Sequence, residues 1–163
     1  NQQVRDNLEF LYTGHTGYIL LRDEKTMGTD GGTFTAGAWQ TRDLTMKLAD
    51  AGSHAALSSN QITLAAGTYR CRIQCPAYAV NKHQARLYNV TNAAALLVGS
   101  SQRNPSGSNI TVPSIIIGRF TLTASKVLEV QHRCETTLIT NGLGIAAGFD
   151  TEVYTIAEFW KEA

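Results

Sequence analysis

Glu-Val-Tyr-Thr-Ile-Ala-Glu-Phe-Trp, residues 152–160, is the stretch from which the fold of this chain can be worked out. In a β-strand, successive side chains point to opposite faces of the sheet. One face then carries Val153, Thr155, Ala157 and Phe159, and the other carries Tyr154, Ile156, Glu158 and Trp160. Large apolar groups occupy both faces, whereas a strand with one solvated face alternates more cleanly. We therefore expect the core on one side of this strand and another protein surface on the other.

The rest of the chain alternates between short strand-like segments and turns. We expect strands near 17–23, 61–64, 68–78, 84–90, 94–99, 114–123 and 127–134, and a strand-like stretch over 33–48 that breaks at Gly37. No segment keeps a helical period, and about eight to ten strands at a spacing of about 8–12 residues indicate a β-sandwich. We predict one all-β domain, most simply a jelly roll.

Composition and charge exclude several classes of protein. The chain has 163 residues, of which 43% are hydrophobic, which suits one domain with a real core. The formal net charge is +1 and there is no basic run, so we expect no nucleic-acid partner. No apolar run approaches about 18 residues, so we expect no membrane insertion.

The chain starts at Asn1 without Met, and we interpret it as a processed or excised piece of something longer. Residues 1–16 would be an entry segment from an upstream module, or a partner contact, and 17–163 the jelly-roll domain.

The three cysteines form an odd set. Cys71 and Cys75 lie four residues apart in one predicted strand, so their Cα atoms should be roughly 13 Å apart, too far for a disulfide. Both share a face with Tyr69 and Ile73, which favours buried free thiols. A bridge from Cys134 to one of the others is the alternative.

We predict no catalytic residue, metal site or cofactor. The glycine-rich stretch 142–148 has the wrong spacing for a nucleotide-binding loop, and no helix follows it. No two histidines have metal-ligand spacing. His132 shares a face with Val130 and Cys134, so we expect a hydrogen-bonded core histidine. For His83, which opens a strand, a structural role is favoured over ligand contact.

The most loop-like segment is 100–109, which we interpret as a candidate receptor-contact loop. Its Gln102, Arg103 and Asn104 can hydrogen-bond sugar hydroxyls, and loops often carry binding function on rigid scaffolds. The alternative is an ordinary polar loop. Trp39 and Tyr18 could stack on a sugar ring, although core or interface packing explains them as well.

Several stretches carry a family resemblance, namely 62–70, 118–122 followed by 125–130, and 152–156. They are similar to a strand–turn–strand step with Gly and Tyr, a later hairpin and the last strand of the trimeric jelly rolls that include tumour necrosis factor and the globular head of the first complement component. The stretches 83–91, 130–134 and 152–162 also resemble domains of bacteriophage tail fibres and other virion appendages.

This resemblance implies a homotrimer in which the last strand lies next to the threefold axis. The side chains it would place toward neighbouring subunits are Arg70, Arg72, Ile115, Ile117, Arg119, Tyr154, Ile156, Glu158 and Trp160. We hypothesise that Arg72 or Arg119 pairs with Glu158 across the axis, because a buried carboxylate without a partner costs several kcal/mol. The alternative is that these charges sit on a solvated rim.

The functional prediction is a non-enzymatic domain on the virion surface. It would form a tail fibre or receptor-binding tip that trimerises and binds a host-surface receptor, a glycan or a protein. The alternative is a head-decoration or collar domain that binds other virion proteins. A fragment of a glycan-degrading enzyme is a third hypothesis, and release of reducing ends from host polysaccharide would support it.

Overall fold

Twelve β-strands and no helix make up the regular structure of residues 17–162, which are the residues that the computed structural model describes. The predicted entry segment 1–16 lies outside the described residues. The strands are β1 (Tyr18–Lys25), β2 (Gln40–Thr41), β3 (Met46–Asp50), β4 (Ala55–Ser58), β5 (Gln61–Leu64), β6 (Gly67–Tyr78), β7 (Asn81–Asn89), β8 (Ala94–Val98), β9 (Gln102–Asn104), β10 (Thr111–Leu122), β11 (Lys126–Cys134) and β12 (Glu152–Lys161).

The strands pack as two antiparallel sheets. The first sheet has the order β10-β6-β12-β1-β3, and the second has the order β4-β5-β11-β7-β8, with β2 beside β11 and β9 beside β7. Buried apolar side chains from both sheets fill the space between them. Ile19, Ile73, Ile116 and Phe159 come from the first sheet, and Ile62, Leu87, Leu128 and Val130 from the second. The predicted all-β sandwich is confirmed, with more strands than expected.

The last strand, β12, lies inside the first sheet between β6 and β1. Its Ala157 and Phe159 are fully buried in the core, while Ile156, Glu158 and Trp160 are half-buried on the outer face. The alternation that the sequence predicts for this half of the strand is therefore present. Because β12 has a hydrogen-bonded neighbour on each side, its outer face is the middle of a broad sheet surface.

The other half of β12 departs from this alternation because of a β-bulge. Arg22 on β1 pairs with Ile156, but Glu24 pairs with Val153, so two residues of β12 lie opposite one residue of β1. Both of these residues, Tyr154 and Thr155, are buried. Tyr154 is 4% exposed, and its hydroxyl donates to the carbonyl of Thr29 at 2.7 Å. The prediction that Tyr154 faces a neighbouring subunit is therefore wrong, because other residues of the same chain cover its side chain.

Two other segments differ from expectation. The stretch 33–48 contributes only a bridge between Phe34 and Leu138 and the strands β2 and β3, because Gly37 (φ +98°) turns the backbone away from extended structure. Within the segment 100–109, residues 102–104 form β9 and pair with β7, so only the first two residues and those from Pro105 onward are loop. The described residues 17–162 contain no helix long and apolar enough to cross a membrane.

Candidate functional site

The outer face of the first sheet brings together the predicted interface residues. Directly paired residues of antiparallel strands point to the same face, so the strand register aligns them in rows. The rows run across β10, β6, β12 and β1 in the order Arg119, Arg70, Trp160, Tyr18; then Ile117, Arg72, Glu158, Leu20; then Ile115, Gln74, Ile156, Arg22. All of the predicted interface residues except Tyr154 lie in these rows, which we call the first-sheet face.

Aromatic and charged groups pack against one another on the first-sheet face. The Arg70 guanidinium lies 5.4 Å from the Trp160 ring centre, and the Trp160 and Tyr18 ring centres are 5.5 Å apart. The Tyr18 hydroxyl donates to Glu158 Oε1 at 2.9 Å. Burial and this carboxylate raise the pKa of Tyr18. These contacts hold Tyr18 and Trp160 in place although each remains half-buried.

The charged pairs on this face are already made within one chain. Arg72 Nη1 lies 3.8 Å from Glu158 Oε2, and Arg119 pairs with Glu162. Of the two cations that we considered for Glu158, Arg72 is thus its partner, from the adjacent strand. Because Tyr18 and Arg72 both reach Glu158, this carboxylate has partners before any second subunit is considered. An ion pair between Glu158 and an arginine of a neighbouring subunit, across the threefold axis, stays a prediction.

A groove opens on the outer face of the second sheet. Arg103 on β9 pairs with Lys82 on β7, and Gln84 on β7 pairs with Arg133 on β11, so their side chains share this face. Trp39, which immediately precedes β2, lines the same cavity of about 750 Å³. We call this cavity the second-sheet groove. Its full lining is Gly37, Trp39, Lys82, His83, Gln84, Ser101, Gln102, Arg103, Arg133, Cys134 and Glu135.

Of the three residues predicted for receptor contact, two line the groove and one is buried. Gln102 and Arg103 line the second-sheet groove, and Arg103 is exposed. Asn104 is fully buried, so its assignment to the contact loop is wrong. Its Oδ1 accepts from the Val80 backbone at 3.2 Å, and its Nδ2 donates to the Ala77 carbonyl at 2.7 Å. Asn104 therefore holds β9 to the core, which positions its neighbour Arg103.

Sequence reasoning missed Lys82 and Arg133 as groove residues. Arg86, on the same face of β7, stacks on Trp39, with its guanidinium 4.1 Å from the centre of that ring. A signal was present, since β7 and β11 both alternate between buried apolar and exposed polar residues. The sequence did not indicate that β9 and the Trp39 segment would flank these two strands.

A buried cation, also unrecognised in the sequence, lies between the two sheets. Arg42 is 1% exposed and donates from Nε to Thr155 Oγ1 at 2.9 Å, from Nη1 to the Pro76 carbonyl at 3.1 Å, and from Nη2 to the Leu143 carbonyl at 3.0 Å. Burial lowers the pKa of Arg42. It ties β6, β12 and the segment after β11 together, which makes it a structural residue.

Two buried histidines meet beside the second-sheet groove. His83 Nδ1 lies 3.0 Å from His132 Nε2, so one ring donates to the other. Burial, reinforced by the positive charge of Arg42, lowers the pKa of His83 to about 4 and that of His132 well below its usual value. Both rings are therefore neutral at pH 7. This confirms the prediction that His132 is a hydrogen-bonded core histidine, and the bond from His83 agrees with the structural role that the sequence favours for it.

The cysteine thiols are unreactive, and the side chains that could bind a metal do not cluster in the described part of the chain. Cys71, Cys75 and Cys134 are buried free thiols, as expected, and no bridge joins them. Burial raises the pKa of Cys71 and Cys75 to about 12 and that of Cys134 to about 11, so they carry almost no thiolate at neutral pH. Residues 17–162 contain no cluster of three His, Cys, Asp or Glu side chains that could hold a metal.

Comparison with known proteins relates this architecture to solved structures. No family model and no curated protein matches the sequence. The globular domain of the zebrafish complement 1qA protein matches with a TM-score of 0.58 and 11% identity, over 91% of this chain and 98% of that one. The vertex protein P5 of the phage PRD1 matches with a TM-score of 0.55 and 16% identity over the same shares.

The crystal structure of murine APRIL at pH 8.5 matches with a TM-score of 0.50 and 11% identity, over 88% of this chain and 98% of that one. This chain therefore has an all-β jelly-roll fold similar to that of the complement 1qA globular domain and of APRIL. The predicted fold class is confirmed, and the matches cover nearly the whole chain. Because the identities are so low, the likeness shows the fold alone, and the tail fibre assignment stays a prediction.

Proposed function

We propose that this jelly roll is a non-enzymatic structural domain of a virion, that it assembles as a homotrimer through the first-sheet face, and that it contacts a host-surface receptor. The observation that carries the proposal is the exposed outer surface of the first sheet. On the edge strand β10, Ile117 is 67% exposed, and its row continues through Arg72 on β6 to Glu158 on β12, two residues before the stacked Trp160.

The chemistry of this face suits burial against further copies of the chain. Aromatic residues and Arg are enriched at the centres of protein interfaces, where they provide most of the binding energy. Apolar groups are also exposed at the opposite edge of this sheet, on β3, where Met46 and Leu48 are each 43% exposed. The likeness to a phage vertex protein supports a virion location, and the likeness to the complement globular head supports the arrangement that the sequence resemblance implies.

The solution mass of the chain tests the assembly. We expect a particle of three times the 17.7 kDa chain mass by light scattering. Ile117→Asp should reduce this to one chain, because it replaces an apolar contact in the interface by a carboxylate whose desolvation opposes assembly, even beside the cross-strand Arg72. Val98→Asp is the matched control, since Val98 is 59% exposed on β8 of the other sheet and its substitution should leave the trimer intact. A wild-type chain that stays monomeric at tens of micromolar contradicts the proposal.

A head-decoration or collar role is the second candidate, and the likeness to PRD1 vertex protein P5 favours it. Removing the whole loop 100–109 cannot separate the two roles, because this deletion also removes the buried Asn104. Arg103→Glu is the sharper change, since Arg103 is exposed in the groove. Virions that carry it and remain intact but fail to adsorb support receptor binding, whereas virions that lose particle stability support decoration.

A further inference from the structure

We infer that the second-sheet groove binds a carbohydrate that carries a carboxylate group. The inference rests on the proposed receptor contact for its biological role, but the binding itself follows from the groove's own residues. It names the chemical class of ligand, an acidic sugar, which the receptor proposal leaves open.

The first step is the charge of the groove. Three cations, Lys82, Arg103 and Arg133, line it together with one carboxylate, Glu135. Lys82 Nζ pairs with Glu135 Oε1 at 3.1 Å, and hydrogen bonds from Lys82 lower the pKa of Glu135. Arg103 and Arg133 are exposed and form no ion pair within residues 17–162. The groove therefore holds two cations in excess, on a chain whose formal net charge is only +1.

The second step is the type of cation. Both uncompensated groups are guanidinium groups, whose planar donors match a carboxylate in a two-point contact. They enter from different strands, Arg103 from β9 and Arg133 from β11, with β7 between them. An anionic group bound above β7 can therefore be reached from both sides.

The third step is the uncharged part of the lining. Trp39 contributes an indole to the lining, an apolar ring of the kind that packs against the C–H face of a sugar, and Arg86 holds that indole by stacking on one of its faces. Gln84, Ser101 and Gln102 add amide and hydroxyl groups that can bind sugar hydroxyls. The volume of about 750 Å³ lies within the range of about 300–1,000 Å³ that is usual for small-ligand sites. Together these groups favour an acidic sugar over an acidic peptide, which needs no indole wall.

Three copies of such a site would also explain how a weak contact becomes useful. A groove that stays open to solvent is expected to bind one sugar unit weakly, because its ion pairs are screened by water and salt. A trimer that presents three grooves to a repeating polysaccharide gains affinity through effective concentration. The single-site affinity, however, does not depend on assembly, which makes the two proposals separable.

The test is an NMR titration of the whole chain, labelled with ¹⁵N, with matched pairs of probes. Trigalacturonate is compared with its neutral methyl ester, and 3′-sialyllactose with lactose. We expect at least one acidic probe to shift the amide signals of β9, the start of β7 and the end of β11, and its neutral partner to leave them unchanged. The double variant Arg103→Gln/Arg133→Gln should weaken the binding about tenfold, as expected for losing charge-assisted hydrogen bonds.

Lys126→Gln is the control variant, because Lys126 opens β11 at the end away from Arg133 and is neither in the groove lining nor in the first-sheet face, so its loss should not alter the titration. The inference is overturned if neither acidic probe shifts the groove amides at about 10 mM, well above the dissociation constants of weak single sites. Equal binding of an acidic probe and its neutral partner, or tighter binding of triaspartate, also overturns it. If light scattering shows a trimer but the groove amide signals do not shift, the carbohydrate inference fails and the assembly proposal remains. Failure of the inference can therefore be told apart from failure of the proposed assembly.

Discussion

At the scale of single residues, the interior of this jelly roll is unusually polar around Arg42. Its guanidinium is fully buried and donates only to neutral acceptors, the hydroxyl of Thr155 and two backbone carbonyls. A buried positive charge is costly unless its donors are satisfied. Arg42 also makes its surroundings unfavourable for further positive charge, which is one reason that His83 and His132 are held neutral.

The histidine pair predicts a loss of stability in mild acid. The folded chain keeps the pKa of His83 near 4, whereas an unfolded histidine has a pKa of about 6.5. The unfolded state therefore binds more protons, so stability is fully present above about pH 6.5 and falls as the pH decreases toward 4. Between pH 6.5 and 5 we expect the free energy of unfolding to fall by up to about 1.4 kcal/mol per pH unit for each histidine.

Urea denaturation at a series of pH values measures this slope. The range above pH 5 is chosen because carboxylates with lowered pKa, such as Asp50 and Glu129, add to the loss mainly below it. His83→Gln should reduce the slope, and His54→Gln, which changes a histidine outside the pair, should not. A free energy of unfolding that stays constant from pH 7 to pH 5 would show that the pair does not titrate as the structure implies.

At the scale of elements, the bulge in β12 changes which side of the sheet a residue reaches. The segment between β11 and β12 passes over Tyr154, and Glu152 accepts hydrogen bonds from the backbones of Gly28, Ala147 and Gly148. This carboxylate joins the turn after β1 to the turn before β12, and the three bonds lower the pKa of Glu152. The bulge and the covering segment together convert one potential interface residue into a core residue.

Gly144→Ala tests how tightly the covering segment lies on Tyr154. A Cβ at Gly144 would lie 2.3 Å from Tyr154 Cδ1, and the backbone there has φ +143°. Since an aromatic ring cannot bend away, we expect a loss of about 2–3 kcal/mol in the free energy of unfolding, with a changed tyrosine signal in near-ultraviolet circular dichroism.

Gly148→Ala is the matched control for the backbone alone. Gly148 has φ +75°, but no atom lies within 4 Å of a Cβ placed there. This variant should cost only about 1–2 kcal/mol, the price of a left-handed conformation with a side chain. Equal losses for the two variants would mean that contact with Tyr154 contributes nothing.

At the scale of the whole molecule, assembly predicts that stability depends on protein concentration. If folded chains associate through the first-sheet face and unfolded chains do not, dilution favours unfolding. We expect the thermal midpoint of the wild-type chain to rise when its concentration is raised tenfold. Ile117→Asp should unfold at a midpoint that does not change with concentration, because it puts a charge at the most exposed apolar position of that face. Scanning calorimetry at two concentrations measures both, and an invariant wild-type midpoint counts against the trimer.

The alternation of side chains along single strands can be read from the sequence. The long strands, the two-sided β12 near Trp160, the buried thiols and the core position of His132 all follow from side chains alternating every residue along one strand. The tertiary structure alone decided the rest. Tyr154 is buried by a bulge, Asn104 by the pairing of β9, and the second-sheet groove exists because Trp39, β9, β7 and β11 lie side by side. Each of these depends on register between segments far apart in the chain, and no pattern within a single strand contains that information.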